Sequence, residues 1–400
     1  MRRTVKPARP IGSTAPPRQG SLRRVRLESP ARAPLVPGQL TVGVEEEFLL
    51  VDEAGYPQPR GPRVLADAGL SHPTPPQLTQ LQVEAASDSC QDLGSLYRQL
   101  VAGRAALADA AAAHGCRLLA SGSAVLGDAA PPPITDRPRY RRMATHFGAL
   151  VDGQSVCGCH VQVGGLDQQT ALRVSNRLRP WLPVLLALSA NSPFWGERAS
   201  GYASWRTMIW SRWPSAGPPP HFDSVAGYET ALAEMSDAGV ALDPSMVYWD
   251  IRPAAQLPAL EVRVADTALT VDEAILLAAL VRALVATALA DIELGRPVQR
   301  LRDETLRYAR WGAAREGLAG SWLDPWTGRR RPAWDQVREL VAAVRPALEA
   351  SDDLELVRDL LARLAAVGGG AQRQLAALRR RGELADVVRL LERQTVGGLG

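Results

Sequence analysis

Four short segments in the first two thirds of the chain alternate apolar and polar residues, and the polar positions are mostly acids. Successive side chains on a β-strand point to opposite faces, so each segment can be sorted into two sides. In residues 41–51, Val42, Val44, Phe48 and Leu50 share one face and Glu45 and Glu47 the other. The middle acid, Glu46, falls on the apolar side, where a carboxylate needs a partner that the local sequence does not supply. In residues 81–85, Gln82 and Glu84 oppose Leu81, Val83 and Ala85. In residues 156–164, His160 and Gln162 oppose Cys157, Cys159, Val161 and Val163. In residues 259–265, Glu261 and Arg263 oppose Leu260, Val262 and Val264.

An antiparallel sheet with one buried and one wet face produces the same alternation, so pattern alone predicts only such a sheet. Residue type carries the reading further. A solvated face mixes Lys, Thr, Ser and Arg, whereas these four hold carboxylates, one imidazole and no lysine. If the strands adjoin, Glu45, Glu47, Glu84 and Glu261 converge and must repel, protonate or share cations. Oxygen donors select Mg²⁺ or Mn²⁺, and Mn²⁺ tolerates a single histidine more readily. Two divalent ions would nominally balance four carboxylates. The competing metal reading is a zinc site of Cys157, Cys159 and His160. Its ligands fall on opposite faces of one strand, and the C-x-C-H spacing matches none of the common paired zinc patterns.

The remainder of the chain fits an α+β enzyme. Residues 1–38 are rich in Arg, Pro, Gly and Ser without periodicity and read as a disordered leader. Most of the basic excess lies there, so the net charge of +4 does not mark the body as nucleic-acid-binding. Residues 39–400 read as one catalytic domain, with a sheet-rich part at 39–270 and a helical part at 271–400. Helical runs are expected near 271–294, 303–316, 334–348, 352–364 and 375–392, with packing and a possible homodimer contact as their role. No uninterrupted apolar stretch of about 20 residues occurs, since Arg282 interrupts the Ala/Leu-rich segment 274–290, and no membrane span is expected. Four cysteines in a chain of 400 residues do not make a small disulfide framework, and reduced thiols in cytoplasm are expected.

Taken in order, Gly43-Val-Glu-Glu-Glu-Phe48, Cys159-His-Val-Gln-Val163, the 202–222 loop with Arg206, Trp213 and Ala216-Gly-Pro-Pro219, and Leu260-Glu-Val-Arg-Val-Ala-Asp266 resemble the glutamate–cysteine ligase type 2 family, in its carboxylate–amine ligase branch. The resemblance spans residues 40–330. It implies a glutamine synthetase-like fold, an antiparallel sheet curled into a funnel with flanking helices and a helical C-terminal third. It also implies an ATP-dependent reaction in which a glutamate-like acid is activated as an acyl phosphate and joined to an amine, with cysteine the default amine. By motif position Glu45, Glu47, Glu84, His160 and Glu261 would be metal ligands, and His160 would also reach phosphate. Arg263 would sit on the transferred phosphoryl group or the substrate carboxylate. Arg206 and Arg252 are further candidates, for catalysis and nucleotide binding respectively. ATP, Mg²⁺ or Mn²⁺, and small amino acid and amine substrates are the implied partners, without nucleic acid or membrane.

Phosphoryl transfer spreads charge over oxygens that metals and arginines stabilise electrostatically, which explains these residue types. Trp205, Trp210 and Trp213 are candidates for a substrate wall or for core packing. Two features depart from the family pattern. Gln162 stands where a second histidine is usual, and Ala85-Ala-Ser-Asp-Ser89 replaces a Thr-Pro-containing continuation. No P-loop occurs, as Gly368–Gly370 lacks the lysine. Two rivals stand beside the ligase reading: a degenerate ligase fold that binds nucleotide as a regulatory or scaffold protein, and a glutamine-synthetase-like phosphotransferase with another acceptor.

Overall fold

The computed structural model describes residues 40–127 and 131–398; the expected leader at 1–38 lies outside them. The strands are β1 (Thr41–Val51), β2 (Gln82–Ala86), β3 (Arg117–Leu119), β4 (Gly158–Gly164), the hairpin β5 (Phe194–Trp195) and β6 (Arg198–Ala199), β7 (Ile251–Pro253), β8 (Ala259–Asp266), and the hairpin β9 (Ser321–Leu323) and β10 (Arg330–Pro332). The main sheet runs β2-β1-β4-β8-β7, with β3 also on β1, and every pairing is antiparallel. The four alternating segments are therefore consecutive neighbours, and the short edge strand β7 holds Arg252.

The apolar face of the sheet makes the core. Val42, Val44, Cys159, Val161, Val163, Leu260 and Val262 pack against helices that flank one side. The helices up to residue 293 are α1 (Gly61–Asp67), α2 (Leu93–Ala113), α3 (Pro138–Phe147), α4 (Gln168–Leu178), α5 (Leu182–Ser189), α6 (Trp205–Trp210), α7 (Val225–Asp237) and α8 (Val271–Glu293); α2, α4, α5 and α8 pack on this core face, whereas α3 lies on the polar side. Helix α8 starts at a capping box in which Thr270 and Glu273 satisfy each other's backbone N–H groups. Its length and mean hydropathy of 2.1 would suit a membrane span, yet 67% of that window is buried within the protein. Arg282, near its middle, pairs with Asp353. The apolar composition of α8 thus answers to core packing on β1, β4, α2 and α4.

The C-terminal third is helical, as the periodicity predicts: α9 (Asp303–Glu316), α10 (Ala333–Ala350), α11 (Leu354–Val367), α12 (Gly370–Arg381) and α13 (Leu384–Thr395). The single run expected at 375–392 is two helices, because Gly382 takes a left-handed conformation (φ 77°) that ends α12. Helix α13 buries Val387, Val388 and Leu391 against Leu49, Val51 and Leu119. Both faces of β1 are consequently buried past Glu47, which closes one end of the polar face.

One assignment of face needs correction, and one is met with the partner it called for. Cys157 does not share the core face with Cys159: β4 begins at Gly158, and Cys157 packs with Leu49 and Phe194 in a separate cluster. Glu46 does face the core, and its partner is Arg104 of α2, which contacts both carboxylate oxygens, Nε at 3.0 Å and Nη2 at 2.5 Å.

Candidate active site

Register decides which side chains meet. Across β1 and β2, Glu47 stands opposite Glu84. Across β1 and β4, Glu45 stands opposite His160. Glu261 of β8 stands opposite Gln162 of β4 on one side and Arg252 of β7 on the other. The polar positions of five strands therefore form one continuous surface. Ligand atoms of Glu45, His160 and Glu261 all lie within 4.8 Å of one another. Glu47 and Glu84 lie outside that tight trio but line the same cavity, of about 190 Å³, together with Glu45, His160, Arg252 and Arg263.

Charge in this cavity is unevenly compensated. Glu261 accepts from Arg252 Nε at 2.8 Å and from Arg263 Nη1. Burial pushes the Glu261 carboxyl up, but Arg263, Arg252 and His160 outweigh it and hold the group at about 2. Arg263 is shifted the opposite way: burial disfavours its charge, while Glu261, Glu45 and Glu47 favour it and raise its pKa. The other carboxylates rest on weaker partners. Glu45 accepts from Gln162 Nε2 at 2.7 Å and lies 3.3 Å from His160 Nδ1. Glu47 accepts from the Gly158 backbone N–H at 2.6 Å, and Glu84 accepts from Gln77 Nε2. Burial first, and then the negative charges of Glu45 and Glu47, raise the Glu84 carboxyl well above its ordinary value.

On the strands, Arg252 and Arg263 stand against Glu45, Glu47, Glu84 and Glu261, a deficit of two charges among these residues, which one divalent ion would match; Arg139, which also lines the cavity, is paired with Asp243. This halves the pair of ions that the acids alone suggest, because Arg252 and Arg263 already neutralise Glu261. The residues present fit a hard cation: clustered oxygen donors with one imidazole, and a carboxyl pushed toward its protonated form by burial and by the neighbouring carboxylates. They fit an anion as well, since Arg263 Nε is buried without a hydrogen-bond partner among the described residues.

Arg206 takes a different place from the one expected of it. It is not among the side chains lining the cavity. Its guanidinium is 3% exposed, 4.0 Å from Asp266, and lies over the Trp210 ring and against Gly158. Among the described residues its Nε has no partner, and its guanidinium makes one long hydrogen bond, 3.5 Å to the Arg263 carbonyl. Trp210 and Trp213 line the cavity, whereas Trp205 stacks on Tyr202 away from it. The zinc reading loses its geometry, because Cys157 and Cys159 lie in separate clusters and burial raises both thiols.

Sequence reasoning missed the wall facing the acids: Arg139, Tyr140 and Met143 from α3, Gln154, and Tyr248. Arg139 makes a paired contact with Asp243, at 2.8 and 3.2 Å. The only available signal was an amphipathic helix rich in Arg, which reads as surface until the fold brings it over the sheet.

A sequence model of glutamate–cysteine ligase family 2 matches residues 41–390. A protein of Saccharopolyspora erythraea named "Putative glutamate--cysteine ligase 2-1" is 48% identical over 361 residues, covering 89% of this chain and 95% of that protein. A similarly named protein of Salinispora arenicola is 48% identical over 344 residues, covering 85% and 91%. Among solved structures, the glutamate–cysteine ligase of Francisella tularensis in complex with AMP superposes with a TM-score of 0.68 at 12% identity, covering 89% of this chain and 88% of that one. A bifunctional glutathione synthetase from Pasteurella multocida gives 0.65 at 15% identity, covering 90% of this chain and 52% of that one. Those two likenesses show a shared fold, the sheet with flanking helices expected of a glutamine synthetase-like ligase. By the match over 350 residues and by its relatives, this chain belongs to glutamate–cysteine ligase family 2.

Proposed function

We propose that the chain is an ATP-dependent carboxylate–amine ligase that joins a glutamate-like acid to an amine, releasing ADP. One observation carries the reading: neighbouring strands set Glu45, Glu47, Glu84 and His160 with Arg252 and Arg263 around one cavity, and Glu261 beside it within reach of Glu45 and His160. Family membership and the relatives' name support glutamate and cysteine as the first pair to test. The four buried free cysteines are consistent with a reducing compartment such as cytoplasm. In this reading residues 39–400 act as one catalytic unit, sheet-rich to 270 and helical beyond it.

Glu45, Glu47, Glu84, His160 and Glu261 would hold Mg²⁺ or Mn²⁺, which when bound draws charge from the phosphate oxygens of the nucleotide. His160, Arg252 and Arg263 would orient those phosphates. Arg263, with an unpartnered buried Nε, would also steady the charge that grows on the transferred phosphoryl group. The acid's carboxylate oxygen attacks the terminal phosphorus, and the bond to ADP breaks. The amine then attacks the carbonyl carbon of the acyl phosphate, loses a proton and expels phosphate. Arg206, behind the cavity beside Gly158 and Trp210, would support the Arg263 end of the site. Aromatic residues Tyr140, Trp210 and Tyr248 line the cavity and would limit the access of water to the activated acid. An ADP-release screen over acid and amine pairs, with Mg²⁺ and with Mn²⁺, tests this. Amine-dependent ADP release with an amide product by mass supports it; ADP release without an amide would favour the phosphotransferase, and none across the panel would end the ligase reading.

A further inference from the structure

Gln162 belongs to neither charged set, yet it sits between both. It lies opposite Glu261 across β4 and β8, and its Nε2 donates to Glu45 Oε1 at 2.7 Å. The direction of that bond is fixed by chemistry, because an ionised carboxylate only accepts and the amide nitrogen must therefore face it. Glu45's other oxygen, Oε2, is the one near His160 Nδ1, at 3.3 Å. The terminal torsion of a glutamate is broad and roughly two-fold, so an unrestrained Glu45 would swing its oxygens between neighbours. Arg263 is one such neighbour, close enough for Glu45 to raise its pKa.

We infer that Gln162 is a positioning residue for cation binding: it ties one oxygen of Glu45 and so presents the other to the Glu45–His160–Glu261 trio. The inference rests on the cation site proposed above. Glutamine suits the position for two reasons. Its amide is long enough to cross from β4 to the Glu45 carboxylate on β1. It also brings no charge and no titrating group of its own between Glu45 and Glu261, so the hold does not repel a cation. Partners that orient a metal ligand affect affinity substantially, about 10- to 100-fold when removed.

The test is Mn²⁺ binding to the nucleotide-free protein, read by electron paramagnetic resonance of the free ion. Variants Gln162→Met, similar in size but unable to donate, and Gln162→Ala, which removes the side chain without a clash, are compared with wild type. Both are expected to melt within about 2 °C of wild type without metal, since Gln162 is half-buried on the polar face and outside the core clusters. Their Mn²⁺ dissociation constants should rise at least about 10-fold. In turnover the Mn²⁺ concentration for half-maximal rate should rise by the same factor, while kcat at saturating Mn²⁺ recovers. A merely structural role would lower kcat or melting temperature without that split. Glu45→Gln is the control for the site itself. If Glu45→Gln weakens Mn²⁺ binding and neither Gln162 variant does, the positioning role is wrong and the cation site stands. If none of the three changes binding, the cation site fails and this inference with it.

Discussion

Glu47 and Glu84 stand directly opposite one another across the β1–β2 ladder, two carboxylates facing each other on the surface that lines the cavity. Like charges in that relation destabilise a strand pair. Their partners are neutral, the Gly158 N–H for Glu47 and the Gln77 amide for Glu84, so the repulsion is only partly offset. Replacing Glu84 by Gln removes it at nearly constant shape. The metal-free Glu84→Gln protein should melt above wild type at pH 8, while losing stabilisation by Mg²⁺ or Mn²⁺. A calorimetric melt with and without metal checks both parts, and a variant that melts below wild type without metal would contradict the first.

The same carboxyl sets a pH dependence. Its folded pKa is raised above the ordinary value of 4.5, so the folded state binds a proton more tightly than the unfolded state does. The metal-free protein therefore loses this contribution as pH rises from about 4.5 through the raised folded value. A divalent ion competes with that proton and replaces the missing positive charge. Stabilisation by saturating Mn²⁺, about 2.7 kcal/mol at 100 times its dissociation constant, should accordingly grow across that window and level off above it. Glu261, held at about 2 by its arginines, contributes the reverse dependence, full above about 4.5 and lost as pH falls from there to about 2, below the range of the test. Melting temperatures at fixed Mn²⁺ from pH 5 to 8 test the prediction, and a flat metal increment would refute it.

The strands and their faces were legible because period two is written into the residues themselves, as Val42, Val44 and Phe48 against Glu45 and Glu47 show. Which strand lies beside which was not, because the register of β1, β2, β4 and β8 is set by packing between residues 33 to 123 positions apart. The acids were therefore readable as a set, while the tighter trio of Glu45, His160 and Glu261 was visible only in three dimensions. The same limit applies to charge balance. Arg252 comes from a three-residue edge strand too short to show alternation, yet it pairs with Glu261 and changes the number of cations the acids call for. The wall with Arg139 and Tyr248 draws on α3 and a connecting segment, neither with a sequence feature that ties it to the sheet. Gly382 is the opposite case: a glycine between two periodic runs is a legible helix stop, and reading the runs as one helix passed over it.

Glu46 gives a stability prediction independent of function. It is 1% exposed on the core face between Glu45 and Glu47, and Arg104, also 1% exposed, meets both its oxygens. Arg104 further donates to the carbonyls of Ala268, Leu269 and Thr395, so the pair ties β1 to the start of α8 and to the end of α13. Arg104→Met leaves a buried carboxylate alone, and breaking such a pair costs about 3–5 kcal/mol. Adding Glu46→Leu should restore part of the loss by removing the stranded charge, but three carbonyls remain without their donor. Denaturant melts of the two single variants and the double variant test this, and a double variant no more stable than Arg104→Met would show that the ion pair is not the source of the loss.

Gly158 offers the sharpest probe of Arg206. Its backbone adopts a conformation open to any residue, so alanine there would ordinarily be tolerated or mildly stabilising, by about 0.4–1 kcal/mol. A Cβ would however stand 2.3 Å from Arg206 Nη2 and 2.9 Å from its Cζ, and the guanidinium must shift. It is 3% exposed between Trp210 and Asp266, so it has little room to move except away from the sheet. Meanwhile the Gly158 N–H, on which Glu47 depends, is unaltered by the substitution. Gly158→Ala thus displaces Arg206 and leaves the acidic set in place. Displacements near 1 Å in a positioning group reduce rates about 100-fold. The expectation is a loss of that order in ligase turnover, with Mn²⁺ binding in the absence of nucleotide retained within about 3-fold. Full turnover in Gly158→Ala would remove Arg206 from the machinery, whereas loss of Mn²⁺ binding would mean that the sheet itself had moved.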